Sequence, residues 1–442
     1  MPGCEPLPQR QVTPESPVIP RKLWKWRLEW LAQTALEKLA ASLPGPVVFR
    51  LGESLGSLAW LLMKSRRQIV LRNLRIAFHG EYDLATLRTM ARESFRRSAA
   101  NLLCALHSTR LTAEQIDQIV TVENPELLAD ALTRGPGVVL MPCHMGNWEI
   151  LSRINRKFPH GYHAGAFYRP LNNPLLNARV VAQREVEGTR LFSKNDSFHH
   201  ATAFLKEGGI LGILADQRVG QRGDPAPFFG RLTRVSPLPA LLARRSRTQV
   251  LAMSLSTVAP GKWSIRYHPV NGKISTHSTM DAIERAMKTS PLDVFWLQER
   301  WQVYIRPRRT IEQWLGADSV PGTKRHRALL WLAGAPADWQ LPAEWSHPDV
   351  DYEIVLAADQ PAPSWTSGSP IIHTVGMESS AKSLAHTLYR IDIGHALPID
   401  FILTPRSCEA LKQAAASESL PVVSLDRAAR ISPLQSTTNL KG

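Results

Sequence analysis

A histidine followed five positions later by a glutamate, just past an apolar run, is the pattern in this chain with the clearest chemical potential: Val138-Val139-Leu140-Met141-Pro142-Cys143-His144-Met145-Gly146-Asn147-Trp148-Glu149. On one continuous helix a spacing of five sets side chains about 140° apart. His144 and Glu149 therefore meet only if His144 lies in a loop and Glu149 in the first turns of the helix that follows. Pro142 ends the strand-like run and Gly146 gives the loop its freedom. A carboxylate on one imidazole nitrogen fixes the tautomer and leaves the other nitrogen to take a proton from a substrate hydroxyl, which is acyl-transfer chemistry. A strand-end histidine also serves as a purely structural hydrogen-bonding residue, and the spacing alone does not separate the two readings. Cys143 is read as packing, because neighbouring side chains on an extended segment face opposite ways.

The elements that must hold this pair follow from the rest of the chain. With 442 residues, 44% of them hydrophobic and 21% charged, the chain is long enough for one large domain and a small one. Apolar runs at 137–141, 165–167, 190–192, 210–215, 249–254 and 263–269 read as strands with helices between several of them, so an α/β fold with a mixed sheet is expected. His144 and Asp216 both fall at carboxyl ends of such strands, where active groups of α/β sheets gather. Leu84, Leu87, Ala91, Phe95, Ala99, Leu102, Leu103 and Leu106 recur at helical spacing with arginines between them, predicting a long half-buried helix with a basic outer side.

Charge is unevenly placed. Of the net +15, residues 1–327 carry +20, while residues 328–442, with seven Lys and Arg against twelve Asp and Glu, carry −5. No helix-turn-helix, zinc-finger or RNP-like pattern favours nucleic acid as the partner of the basic part, which suits anionic lipid or an acidic carrier protein better. Cys4, Cys104, Cys143 and Cys408 have no C-x-x-C spacing, so neither a metal site nor a disulfide framework is expected, and the setting fits a reducing cytoplasm.

The amino terminus points to a membrane surface. Residues 1–20 hold six prolines and no apolar run, reading as a flexible tail. Trp24, Trp26 and Trp30 then sit among basic residues, the composition of an interfacial anchor. Residues 43–63 are apolar but interrupted by Pro44, Pro46, Arg50 and Glu53, so an amphipathic, shallowly embedded helix is expected and not a span. Gly52-Glu53-Ser54-Leu55-Gly56 fits G-x-S-x-G, the nucleophile elbow of serine hydrolases. It fits equally a G-x-x-x-G face for close helix packing, which is preferred because no earlier strands supply an oxyanion hole.

The H-x-G-x-W-E pattern at His144–Glu149 resembles the signature of the lysophospholipid acyltransferase superfamily, in its bacterial lipid A (lauroyl/myristoyl) acyltransferase branch. Four further blocks match in order: Arg72-Asn73-Leu74 through Phe78; Tyr168-Arg169-Pro170-Leu171 through Pro174; Ala215-Asp216-Gln217 with Phe228-Phe229-Gly230-Arg231 and Leu242-Ala243-Arg244; and Trp296 with Arg300-Trp301. Where the family often has a histidine two residues after the closing-block tryptophan, this chain has Gln298.

The resemblance covers about residues 20 to 310 and implies an enzyme without metal or cofactor. It would move a fatty acyl group from an acyl carrier protein thioester to a hydroxyl of a lipid A precursor, at the cytoplasmic face of the inner membrane, as a peripheral or monotopic protein. His144 would be the base and Glu149 its orienting carboxylate. Arg169, Asn147 and backbone amides near Gly146 would face the oxyanion. Asp216 would hold Arg169 or cap a turn, and Arg231, Arg234, Arg244 and Arg245 would face phosphates of acceptor or carrier. Another glycolipid or a lysophospholipid is the alternative acceptor. A basic protein that only docks on membranes is the alternative outside enzymology, although it has no need of the His144–Glu149 pair.

Past residue 310 the resemblance stops. A linker is expected over 311–327, a small α/β domain of five strands over 328–430, and a tail over 431–442. His373 and His395 have no evident partners in the sequence.

Overall fold

The segment β2 (Val138–Pro142) is buried along its whole length, as an apolar run must be when a parallel sheet is covered on both faces. It lies at the centre of the sheet in the computed structural model, which describes residues 20–425 apart from 194–197, 220–222, 302–323, 337–338, 349, 362–369, 377–379 and 407. The expected tail up to residue 19, the tail over 431–442 and the 311–323 part of the linker lie outside the described residues.

The sheet has seven strands in the order β1 (Val120–Val122), β9 (Lys262–Pro269), β8 (Gln249–Ala259), β2, β5 (Gly209–Gly212), β3 (His163–Tyr168) and β4 (Arg190–Ser193). All neighbours run parallel except β8 and β9, which form an antiparallel hairpin. The mixed α/β sheet expected from the sequence is thus present. A second hairpin, β6 (Asp224–Phe228) with β7 (Arg231–Val235), was not anticipated. Pro225 and Pro227 argue against a central strand, but a two-stranded ribbon has only edges, where proline is tolerated.

Around the sheet lie α1 (Pro20–Ala41), α2 (Gly45–Leu62), α3 (Lys64–Ala77), α4 (Leu84–Ser108), α5 (Ala113–Ile119), α6 (Pro125–Thr133), α7 (Pro174–Glu185), α8 (Phe198–Lys206), α9 (Leu238–Ser246) and α10 (Thr276–Lys288). The long helix read from its apolar spacing is α4. The Asp83 side chain caps it by accepting from the Thr86 amide at 2.7 Å. Gly52 and Gly56 face α4 on consecutive turns of α2, and a Cβ on either would stand 2.4 Å from the Ala100 Cα and 2.6 Å from the Arg96 Cα, respectively. Ser54 lies within this helix and its hydroxyl donates to the Arg50 carbonyl at 3.1 Å. The G-x-S-x-G match is therefore a helix-packing face, and the hydrolase reading falls because an elbow needs a strand-to-helix turn. The opposite side of α2 leaves Leu51, Leu55, Leu58, Leu61 and Leu62 exposed, as α1 leaves Trp24, Leu28, Leu31 and Leu39. Among the described residues no helix is long and apolar enough to cross a membrane.

The carboxyl-terminal appendage is a wholly parallel five-stranded sheet, in the order β12 (Ile372–Val375), β11 (Val350–Ala357), β10 (His326–Trp331), β13 (Ile399–Thr404), β14 (Val422–Ser424), with helices α11 (Ala381–Ile393) and α12 (Glu409–Ser417). Its first strand starts at His326, inside the stretch read as linker. His373 has a partner after all, the Glu353 carboxylate at 2.7 Å, and His395 Nδ1 accepts from the Leu397 amide at 3.0 Å.

Glycine at position 56 gives a direct check on the α2–α4 contact. On an open helix face Gly56→Ala would gain about 1 kcal/mol of helix propensity. Against the α4 backbone it is expected instead to cost about 1–3 kcal/mol, read as a lowered midpoint in urea unfolding. A stabilised variant would show that the two helices do not touch there.

Candidate functional site

β2 and β5 are neighbours in the sheet, and the chain leaves the carboxyl end of each into the site. After β2, the loop Cys143–Gly146 is stitched to the segment before the closing tryptophan block. The Gly146 amide donates to the Asp293 carbonyl at 3.0 Å, the Phe295 amide donates to the His144 carbonyl at 2.8 Å, and Met145 bridges to Val294. Gly146 has φ +57°, and a Cβ there would meet the Leu255 carbonyl oxygen at 2.3 Å, so the turn admits only glycine. The closing segment is held in turn from α3, where the Asn73 amide donates to the carbonyls of Trp296 at 2.8 Å and Gln298 at 2.6 Å.

From the end of β5 comes Asp216. Its Oδ1 accepts from His144 Nδ1 at 2.6 Å, and its Oδ2 accepts from the His144 backbone amide at 3.1 Å. Arg300, as buried as the aspartate, donates to the same Oδ2 at 3.0 Å and also to the Asp216 carbonyl. Burial alone would push this carboxyl upward, but His144 and Arg300 outweigh it and hold the group well below the usual carboxylate range. An ionised carboxylate accepts only, so Nδ1 carries the proton and Nε2 presents a lone pair. The Gln217 side-chain amide occupies that lone pair at 2.7 Å. Trp148 packs edge-on against the imidazole, ring centroids 5.4 Å apart, and its other neighbour is Phe295 at 5.3 Å.

This geometry corrects the expected pairing. Glu149 does lie in the first turn of a short 3₁₀ helix, Trp148–Arg153, just past the histidine loop. Its carboxylate, however, faces α7, where Arg184 grips both oxygens at 2.7–3.2 Å. A planar guanidinium fork matches two carboxylate oxygens better than an imidazole does. Both imidazole nitrogens are in any case taken by Asp216 and Gln217. Asp216 pairs with His144 and Arg300, not with Arg169, which is exposed at the end of β3.

Other expected site residues stand elsewhere. Asn147 is buried, its amide donating to the Ser108 hydroxyl at 3.3 Å, so it braces the loop against α4. The amides near Gly146 are spent on internal bonds: Met145 on the Cys143 carbonyl and Gly146 on Asp293. Arg231 is fully buried and pairs with Asp400 of the appendage at 2.9 Å. It cannot face a substrate phosphate, because the hairpin carrying it lies under the second sheet. Arg234 donates to the Gly223 carbonyl at 2.8 Å, Arg244 is exposed on α9, and Arg245 lies over the Phe198 ring. Cys143 is buried, and burial raises its thiol well above the usual value, consistent with packing. Among the described residues no cluster of His, Cys, Asp and Glu could hold a metal ion. The residues the sequence reading passed over are Arg300 and Gln217. Both stand inside quoted blocks, but Gln217 meets the histidine and Arg300 meets Asp216 only through tertiary contacts.

Beside Trp148 a narrow apolar pocket runs into the sheet between β2, β3 and β5, lined by Leu140, Leu151, Phe158, Ala166, Phe167 and Leu214, with Glu149 and Arg184 also at its wall. Its open space is ≈ 80 Å³, only about three water volumes.

Comparison with known proteins bears on the family. The family described as bacterial lipid A biosynthesis acyltransferase matches residues 20–303. The chain is 28% identical to a lipid A biosynthesis lauroyltransferase of Escherichia coli over 206 residues, 46% of this chain and 65% of that protein. It is 22% identical to the E. coli lipid A biosynthesis palmitoleoyltransferase over 279 residues, 60% of this chain and 88% of that protein. A phosphatidylinositol mannoside acyltransferase of Mycobacterium tuberculosis is 24% identical over 204 residues, 43% of this chain and 62% of that protein. None of these stretches is long enough to take in the appended sheet as well as the histidine domain. With its ordered motifs folded around one histidine, and with a family match spanning most of the chain, this protein belongs to the bacterial lipid A biosynthesis acyltransferase family.

Proposed function

We propose that the protein transfers a fatty acyl group from a thioester carrier to a hydroxyl of a lipid A precursor. The observation that carries this reading is His144, tautomer fixed by a charged buried aspartate, with Nε2 directed to a side-chain amide beside an apolar pocket. The acceptor hydroxyl displaces the Gln217 amide from Nε2 and gives up its proton to the imidazole. Its oxygen attacks the thioester carbonyl, the C–S bond breaks as the tetrahedral intermediate collapses, and the imidazolium returns the proton to the leaving thiolate. Asp216 stabilises the transient imidazolium, and Arg300 keeps Asp216 ionised throughout. The acidic acyl carrier protein suits the basic exposed surface of α9 as donor, with Arg244 in that surface. Arg169, exposed at the end of β3, would meet the oxyanion or an acceptor phosphate. Glu149, locked to Arg184, shapes the pocket wall and does not orient the base.

A few methylenes of the acyl chain, about as many as the three water volumes of open space allow, enter the pocket beside Trp148. Burying each methylene is worth about 0.8 kcal/mol, so chain length is selected by how much of the chain finds apolar wall. The exposed tryptophan and leucines of α1 and α2 form the face that rests on the cytoplasmic leaflet of the inner membrane, as a peripheral or monotopic attachment. The mannoside acyltransferase relatives favour one second reading, a phosphorylated glycolipid other than lipid A as acceptor.

Acyl transfer from a labelled acyl carrier protein thioester to a Kdo-lipid A precursor tests the assignment. His144→Ala is expected to lose about 10² to 10⁴ in rate, and Asp216→Asn, which frees the wrong nitrogen, up to about 10⁴. Glu149→Gln should lose less than about tenfold, since it leaves the tautomer untouched. The reverse ranking of Asp216 and Glu149 would restore the pairing expected from spacing. No transfer by wild type to this acceptor, with transfer to a mannosylated one, would establish the second reading.

Filling the pocket gives an independent check. Ala166→Phe is expected to slow long-chain donors more than short ones, by up to about fourfold for each methylene excluded. Equal slowing at all lengths would place the acyl chain elsewhere.

A further inference from the structure

Where α2 gives way to α3, the amino-terminal unit and helices α11 and α12 of the appendage leave an open groove of ≈ 790 Å³. It lies between the two units and is separate from the histidine site. Trp60 and Leu71 give it an apolar wall, and Lys64, Arg67, Arg88 and Lys382 supply four cations against a single lining carboxylate, Glu418. That carboxylate is already occupied by Lys64 at 3.3 Å and by the Gln68 amide at 2.8 Å. The Arg67 guanidinium lies over the Trp60 ring at 5.5 Å, and Arg88 donates to the Tyr389 hydroxyl at 3.1 Å. Lys382 is exposed on α11 and has no ion pair among the described residues.

The order of residues along the chain matters. Leu58, Leu61, Leu62 and Met63 are exposed at the end of α2, and the cations begin at the next residue, Lys64. An apolar strip passing within one turn into a cationic pocket with a tryptophan at the border has the polarity of an amphiphile with an anionic head. A small soluble phosphate would need only the cations. We propose that this groove binds the phosphate-bearing head of an anionic membrane phospholipid, its chains lying along the exposed leucines of α2. The appended sheet thereby contributes half of a lipid-recognition site and makes membrane attachment selective for anionic surfaces. This rests on the membrane-facing reading of α1 and α2.

Flotation of the full-length protein with phosphatidylcholine vesicles, and with vesicles of phosphatidylcholine and phosphatidylglycerol in equal parts, separates the two ideas. Wild type is expected on both, and more strongly on the anionic ones. Arg67→Glu combined with Lys382→Glu should lower partition to anionic vesicles about tenfold or more while leaving phosphatidylcholine binding unchanged. Lys206→Glu with Lys273→Glu makes the same charge change on exposed residues away from the groove, and should lower it less than about twofold. Lys382→Glu alone, on an exposed residue outside the ion pairs of the described residues, repeats the test without risk to folding. Equal losses for groove and control variants, or no preference of wild type for phosphatidylglycerol, would overturn the groove assignment. Failure of wild type to bind either vesicle would overturn the membrane reading beneath it.

Discussion

A carboxylate removed from water is costly to keep charged, and Asp216 is kept so by two groups that reach it from distant parts of the chain. His144 arrives from the end of β2 and Arg300 from the closing tryptophan block. Neither contact forms unless β2 and β5 are paired in register and the 293–301 segment lies against the histidine loop. The ion pair is also a constraint on the rest of the domain, since removing one partner of a buried pair leaves an uncompensated charge costing about 3–5 kcal/mol. Because the folded-state pKa of Asp216 is depressed, its share of stability is present above the ordinary aspartate pKa of about 3.9. It is lost only as pH falls through the lower folded value.

The blocks that stand apart in the chain meet through this arrangement. Asn73 of α3 holds the closing block by two carbonyls, that block holds the histidine loop by its backbone, and Thr233 of the β6–β7 hairpin donates to the Arg300 carbonyl at 3.1 Å. Asp293, buried beneath, accepts from Thr257, Asn101 and Ser290, tying β8 and α4 to the same turn. The setting of one histidine is thus fixed by contacts spread over more than two hundred residues, from Asn73 to Arg300.

Periodicity and apolar runs gave the outline of the architecture: the strand before the histidine, the long α4 helix, a five-stranded α/β appendage and the loop position of His144 all follow from local pattern, whereas strand order and direction do not. Nor does the pairing of His144. Glu149 is close to His144 in sequence, but the carboxylate that reaches it lies on a neighbouring strand, and neighbourhood in a sheet is a tertiary property. The two strand-end positions of His144 and Asp216 carried the necessary hint, since adjacent parallel strands deliver their carboxyl ends to one place. Arg231 was misplaced for a similar reason. A basic residue in a quoted block reads as exposed until the element covering it is known, and here the cover is a second sheet whose approach no local pattern encodes.

The charge split between the two parts of the chain takes on a different meaning once they are docked. Arg75 reaches Asp392 at 2.5 Å, Arg231 reaches Asp400, Arg72 donates to the Ser419 carbonyl at 3.3 Å, and the Lys324 amine donates to the Ile76 carbonyl at 2.6 Å. The acidic surplus of the appendage is therefore partly consumed against guanidinium groups that have no water to turn to. Cutting the chain between the units would strand Arg75 and Arg231 on one piece and Asp392 and Asp400 on the other. Each piece would be left with charges that only the other can neutralise, so the two sheets are expected to lose their structure together.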